Sequence, residues 1–294
     1  MTTSSTTELL HGSAYLECPR WHDGALWVSD FYRYSVLRAT EDGDETTVLE
    51  VPGQPGGLGW WADGSLVIAS MRDRRILRRD PGGAVSVLAD LSELTPWPLN
   101  DLAVDTADNV YVGDFGFDVM SYAPLRTGSV FCVRPDGSAR RVADEMWFAN
   151  GMAVTPTGDL LVAETFAQRV TRFRTGEDGS LHDRAPWFGF GPAPSARDLP
   201  EILGGLSVAP DGFCLDRQGG AWVADCIGQR AVRVLPEVGI VDEVSTAGSG
   251  VFACALGGAD GRTLFLCCAP SFDEADRSTT RESFVRAVPV TVPG

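Results

Sequence analysis

Short apolar runs alternate with turn-forming polar residues along the whole chain, and one of these runs returns six times. It reads Leu26-Trp27-Val28, Leu66-Val67-Ile68, Val110-Tyr111-Val112, Leu160-Leu161-Val162, Ala221-Trp222-Val223 and Leu264-Phe265-Leu266. Successive starts lie 40, 44, 50, 61 and 43 residues apart. A turn precedes every copy (HDGA, ADGS, TADN, PTGD, RQGG, ADGR), and an apolar strand pattern such as GLGW, LAVD, MAVT or FCLD precedes that turn. A further strand pattern follows most copies, as in SVLRA, RILRR, SVFCV, RVTRF and AVRV. Each unit therefore predicts a meander of about four short strands, the repeat of a propeller blade. The fold class expected is all-β: a six-bladed β-propeller with four-stranded antiparallel blades around a central channel. No amphipathic helical stretch competes with it. The reading makes 1–294 a single domain, with residues 1–12 as a flexible N-terminal tail. Residues 12–16 or 283–292 supply the strand that closes the ring.

Composition agrees with many short strands. Apolar residues make up 44 %, and 33 glycines and 18 prolines are spread along 294 residues. The formal net charge of −16 argues against nucleic acid and against anionic membranes as partners, because both attract fields of Lys and Arg. No apolar run is long enough for a membrane span, and MTTSSTTELLHG lacks the basic start and apolar core of a secretory signal. The seven cysteines (18, 132, 214, 226, 254, 267, 268) form no CxxC pair and mostly sit inside apolar strand patterns. They read as reduced, buried, small hydrophobic residues of a cytoplasmic protein.

Repeat phase then locates candidate chemistry. The strand before each recurring turn lines the channel, so equivalent positions at its start converge at one face. Counting back ten residues from each recurring run, and nine in the shorter first hairpin, gives Glu17, Gly56, Asn100, Asn150, Asp211 and Cys254. Four of the six carry side-chain oxygens, and no Lys or Arg occupies an equivalent position. Buried carboxylates need a cation or a metal to be tolerated. Two carboxylates with two amide oxygens suit one hard divalent ion, Ca²⁺ first, with Mg²⁺ or Mn²⁺ as alternatives and Zn²⁺ a less natural fit.

Around the ring, Asp30, Asp114, Glu164 and Asp225 are expected at the same face. So are two long insertions, one after Asp114 and one from Pro186 to Pro210. Phe115, Phe117, Met120, Trp147, Trp187 and Phe188 are candidates for an apolar pocket there, with Phe115 and Trp147 as substrate contacts. Arg72 is the candidate cation for orienting a substrate. Asp101 is a candidate to orient a ligand or hold a water. None of His11, His22 and His182 falls in ring phase, and no GxSxG elbow, P-loop or dinucleotide fingerprint is present.

Four segments, LECPRW, NDLAVDTADNVYVGDFG, FANGMAVTPTGDLLVAET and PDGFCLDRQGGAWVAD, resemble the senescence-marker-protein (regucalcin), gluconolactonase and lactonase family. The resemblance runs from about residue 15 to 270. It implies a six-bladed propeller with one catalytic divalent metal. By motif it implies Glu17, Asn150 and Asp211 as metal ligands, and Asn100 as a contact to substrate or metal. Two departures stand out. Trp97-Pro98-Leu99 precedes the Asn-Asp pair where sugar-lactone members tend to carry Arg, which points to a less polar substrate. Cys18 stands where glycine is usual. The expected reaction is hydrolysis of a small-molecule lactone by water, with Asp211 as general base and Asp101 as second choice. The alternatives are a phosphotriesterase on the same site and a non-catalytic Ca²⁺-binding propeller. A monomer or homodimer is expected.

Overall fold

The computed structural model describes residues 6–246 and 248–294. Among these residues the strands form six four-stranded antiparallel sheets, the six-bladed β-propeller that the repeat predicts. By contacts the chain divides into two compact units, Met1–Val51 with Asp211–Gly294, and Pro52–Pro210.

In the first unit, β1 (Thr7–Ser13) is followed by the first blade: β2 (Leu16–His22), β3 (Ala25–Asp30), β4 (Ser35–Ala39) and β5 (Glu45–Glu50). The second unit holds three blades. They are β6 (Pro55–Trp60) to β9 (Val85–Asp90) through β7 (Leu66–Ser70) and β8 (Arg75–Arg79); β10 (Leu99–Val104) to β13 (Ala139–Met146) through β11 (Val110–Asp114) and β12 (Gly128–Val133); and β14 (Ala149–Val154) to β17 (Leu181–Gly189) through β15 (Leu160–Glu164) and β16 (Arg169–Thr175). The chain then returns to the first unit in a blade of β18 (Pro210–Leu215), β19 (Ala221–Asp225), β20 (Arg230–Leu235) and β21 (Gly239–Ser245). The last blade comprises β22 (Gly250–Gly257), β23 (Thr263–Ala269) and β24 (Ser283–Pro289), and β1 completes it by pairing with β24. Both ends named by the sequence thus enter one sheet. Residues 7–12, expected as tail, are strand, because β24 offers them an edge: Thr7 pairs with Ala287 and Leu9 with Val285.

Burial grades across each blade. The recurring run is the second strand every time, and β7, β11, β15 and β19 are buried at every position. It therefore reads as a continuous apolar run instead of an alternating one. The fourth strands are largely exposed, as in β5 and β21. Between sheets the cores are blade-to-blade layers. Val67 and Ile76 pack with Leu102, Val110 and Phe131. Tyr111 and Val130 pack with Met152, Leu160 and Val162. In the other unit Leu26 and Val28 pack with Ala253, Phe265 and Cys267. All seven cysteines are free thiols, and Cys214 and Cys226 are only partly buried.

The inner strands meet closely where glycine replaces a side chain. A Cβ on Gly57 would lie 2.1 Å from the Leu102 nitrogen, and one on Gly212 would lie 2.4 Å from the Ala253 Cβ. A methyl group at either place would force neighbouring blades apart. Among the described residues the helices are short, α1 (Leu199–Gly205) and α2 (Glu274–Arg277) plus one turn at Thr165–Ala167. None is long and apolar enough to cross a membrane.

Candidate functional site

The positions found by repeat phase coincide with a break in register. The pairing of the inner hairpin slips by one residue between Glu17 and Arg20, between Pro55 and Leu58, between Leu99 and Leu102, and between Ala149 and Met152. Such a bulge re-aims the side chains next to it. Here it acts on Glu17, Gly56, Asn100, Asp101 and Asn150, while the strand beyond keeps its apolar alternation.

The last blade departs from the count. Its hairpin pairs Leu256 with Leu264, whereas blade three pairs Val104 with Val110, so the hairpin is two residues longer. The bulge falls between Val251 and Ala253. Phe252, and not Cys254, therefore holds the ring-equivalent position. Cys254 pairs regularly with Leu266, and its thiol donates to the Trp222 carbonyl at 3.2 Å.

In the first unit Glu17 and Asp211 are both buried, at 6 % and 5 % exposure. The Glu17 carboxylate accepts the Cys18 amide at 3.0 Å. Both carboxylates act on the same two neighbours. Burial pushes the Tyr15 phenol well above its ordinary value, and the charges of Glu17 and Asp211 push it further. Burial likewise raises the Cys226 thiol, followed by the charges of Asp211, Asp225 and Glu17 and a hydrogen bond to Asp211. Cys226 therefore stays a thiol, a donor to Asp211.

In the second unit Asn100 and Asn150 are buried, at 5 % and 8 %. Each spends its nitrogen on the protein. Asn100 Nδ2 donates to the Ala149 carbonyl at 3.0 Å. Asn150 Nδ2 donates to Thr165 Oγ1 at 3.3 Å, whose hydroxyl donates in turn to the Pro210 carbonyl. Among the described residues neither amide oxygen accepts a hydrogen bond. Asp101 is tied differently: one oxygen accepts the Leu102 amide at 2.8 Å and the other the Met152 amide at 3.2 Å, which joins β10 to β14. Arg72 is exposed, and its Nε donates to Gln54 Oε1 at 2.9 Å.

The four acidic residues that end second strands are buried anchors. Asp30 accepts the amides of Ala14, Tyr15 and Arg33. Asp114 accepts Thr95 Oγ1 and the Ser129 amide. Asp225 accepts the Gly228 amide and Arg230 Nε. Glu164 binds the Trp147 amide, the Thr171 hydroxyl, Arg169 and Arg184. Burial alone would raise the Glu164 carboxyl, but the hydrogen bonds from Arg169, Thr171 and Trp147 hold it below its ordinary value. At Asp114 burial prevails and the carboxyl is raised.

Aromatic side chains gather beside these positions in each unit. Phe115, Phe117 and Phe166 surround Phe148, with ring centres 5.0 to 6.0 Å from it. In the first unit Phe31, Tyr32 and Phe252 surround Tyr15 at 5.1 to 6.1 Å. Of the aromatic residues named from sequence, Phe115 and Phe117 join the first cluster. Trp147 lies instead under the guanidinium of Arg197, 4.6 Å from its ring centre. Trp187 and Phe188 belong to the outer strand β17, and Met120 is a half-buried turn residue. The two insertions do meet, through a Leu125 amide bond to the Arg197 carbonyl at 2.8 Å. Sequence reasoning missed Tyr15, Phe148, Thr165, Phe166, Phe252 and Cys226. A signal existed for several: the residue or two after each second-strand carboxylate is Phe31, Phe115, Thr165-Phe166 and Cys226.

No three His, Cys, Asp or Glu side chains among the described residues are placed to share an ion. In the first unit Glu17 and Asp211 are two buried acids, and in the second Asn100 and Asn150 are two buried carboxamides with unspent oxygens; oxygen donors of both kinds are the class that Ca²⁺ and Mg²⁺ select.

The sequence pattern of the family described as SMP-30/Gluconolactonase/LRE-like region matches residues 16–269. A 6-deoxy-6-sulfogluconolactonase of Pseudomonas putida is 22 % identical over 284 residues, 95 % of this chain and 92 % of the relative. A regucalcin of Danio rerio is 23 % identical over 189 residues, 63 % of this chain and 59 % of its own length. Among solved structures, a luciferin-regenerating enzyme superposes with a TM-score of 0.79 at 19 % identity, covering 99 % of this chain and 97 % of the other. A gluconolactonase of Xanthomonas campestris gives 0.74 at 23 % identity, over 99 % and 91 %.

Proposed function

Because the chain belongs to the SMP-30/gluconolactonase/LRE-like family, we propose that it is a lactonase using one divalent ion, Ca²⁺ by preference, held by Glu17, Asn150 and Asp211 with Asn100 beside them. The observation that carries the reading is the pairing of two buried acids that act on the same neighbours with two buried carboxamides whose nitrogens alone are engaged. The ion, when bound, supplies Lewis-acid stabilisation of charge developing on the ester carbonyl oxygen.

The chain's own residues do the rest. Asp211 accepts a proton from the attacking water at a carboxylate oxygen. The water oxygen bonds to the acyl carbon, the ring C–O bond breaks, and the departing alkoxide takes the proton, so lactone and water give one hydroxy acid. Cys226, kept protonated, orients Asp211 through its hydrogen bond. Asp101 works through position: by clamping β10 to β14 it fixes the adjacent Asn100. Replacing Asp101 with alanine is expected to lower stability by about 1–3 kcal/mol, because two buried amides lose their acceptor. Urea unfolding would check this.

The aromatic clusters support an apolar lactone, aliphatic or aromatic, over a polyhydroxylated one. Trp97-Pro98-Leu99 before Asn100 points the same way. An alkyl-substituted lactone is expected to exceed gluconolactone in kcat/KM by about tenfold or more, as one or two buried methylenes would give.

The test is a panel of alkyl, aryl and sugar lactones with one phosphotriester, run on chelated and on metal-reloaded protein. Turnover of a lactone that is lost on chelation and restored by Ca²⁺ is expected. No lactone turnover after reloading would defeat the proposal, and phosphotriester turnover alone would replace it. Added Ca²⁺ is also expected to stabilise the fold, by about 2.7 kcal/mol at a hundredfold excess over its Kd, read as a rise in Tm.

A further inference from the structure

A cavity of about 420 Å³ in the second unit is lined by Thr127, Glu145, Trp147, Arg169, Arg184 and Arg197. Three arginines at one opening are out of character for a chain of net charge −16 with only 24 Lys and Arg in all. Their surroundings show which charge is spoken for. Glu164, fully buried, takes Arg169 at 2.9 Å and Arg184 at 3.2 Å. Arg184 also donates to the carbonyls of Asp144 and Glu145. One carboxylate thus serves two guanidinium groups. Arg197 is exposed, holds its guanidinium carbon over the Trp147 ring, 4.6 Å from the ring centre, and pairs with no carboxylate among the described residues. A guanidinium placed over an aromatic ring is held in position by the cation–π contact, and its N–H groups are the donors that oxyanions select. Glu145 is the acidic residue of the lining, and with Glu164 it leaves these three arginines a surplus of one positive charge over the two carboxylates.

We propose that this cavity binds a small organic oxyanion, a carboxylate or phosphate group on a carbon skeleton, with Arg197 as its principal contact and Arg169 and Arg184 behind it. The volume suits a molecule of drug-fragment size, and Trp147 supplies the apolar wall for its carbon part. This site stands apart from the lactonase reading, and its test needs no turnover.

Isothermal titration of the full chain at low ionic strength with benzoate, phenyl phosphate and inorganic phosphate, with benzyl alcohol as uncharged control, decides the matter. Saturable binding of benzoate or phenyl phosphate is expected, with inorganic phosphate weaker and benzyl alcohol silent. Arg197→Gln removes no partner of Glu164, so the fold is expected to hold, and a Tm measurement checks that. It should weaken binding by about tenfold or more, the loss of a charge-assisted bond. Glu145→Gln should tighten it by about threefold, because a like charge is removed. The proposal fails if neither organic anion binds, if Arg197→Gln binds as wild type does, or if benzyl alcohol matches benzoate. Inorganic phosphate binding as tightly as phenyl phosphate would overturn the organic part of it.

Discussion

Asp211→Asn is expected to cut metal-dependent lactone hydrolysis by about a thousandfold, on the order of 4 kcal/mol at the barrier. The substitution keeps the shape of the side chain and its place among Tyr15, Cys226 and Glu17. On the proposed mechanism it removes the negative charge that would balance the ion and the acceptor for the water's proton. A structural role for Asp211 predicts something else. Removing one of two neighbouring buried acids relieves repulsion, so an anchor-free site would become more stable and keep its rate. The two accounts separate on three readings taken together: kcat, the Ca²⁺ dissociation constant, and Tm without metal. We expect kcat to fall, Ca²⁺ binding to weaken steeply, and the metal-free Tm to hold or rise. Unchanged Ca²⁺ affinity would remove Asp211 from the ligand set.

The second large effect concerns stability. Glu164→Ala is expected to destabilise the protein by about 3–5 kcal/mol, since it leaves guanidinium groups of Arg169 and Arg184 without their buried partner. The sign with pH follows from the direction of the shift. The Glu164 carboxyl is held below its ordinary value of 4.5 in the folded chain. Its contribution is therefore present above that value and is lost as pH falls through the folded value. Urea unfolding at neutral pH and at increasing acidity should show wild type and Glu164→Ala far apart at neutral pH and converging in acid. Equal stability at neutral pH would contradict the anchor reading. Asp114 runs the opposite way. Its carboxyl is raised by burial, so it binds a proton more readily folded than unfolded and costs stability as pH rises through that interval.

The contrast between what the chain announces and what it conceals has a physical pattern. The second strand of each blade is buried almost throughout, so its central run is apolar, and that run recurs legibly in sequence. The turns beside it need Gly, Asp or Asn for their backbone conformation, as at Gly64 and Gly158 with positive φ, and they mark the phase. Counting from those marks reaches Glu17, Asn100 and Asn150, because the second, third and fourth hairpins share one length and the first is shorter by a single residue. The count misses Phe252, because the last hairpin gains two residues and nothing in composition reveals where strand ends and turn begins. The bulges themselves are invisible in sequence. They arise from pairing with the second strand, a relation that no single strand carries.

Charge partners were concealed for a similar reason. Asp30, Asp114, Glu164 and Asp225 share the phase of a functional ring, yet Asp30, Glu164 and Asp225 meet amides and arginines, and Asp114 meets a hydroxyl and an amide, brought by loops or by outer strands. Arg184 reaches Glu164 from twenty residues away on β17. Aromatic content was readable but its grouping was not: Phe148 and Phe166 come from different strand ends of one blade, and Tyr15 meets Phe252 across most of the chain length.

The account rests on one cation shared by two acids and two amides, and crystallography with Mn²⁺ as an anomalous scatterer tests it most directly. The account predicts a single strong peak within about 2.6 Å of oxygens of Glu17, Asn150 and Asp211, with Asn100 beside it. A peak that touches none of these three, or Mn²⁺-soaked crystals with no peak among them, would contradict it.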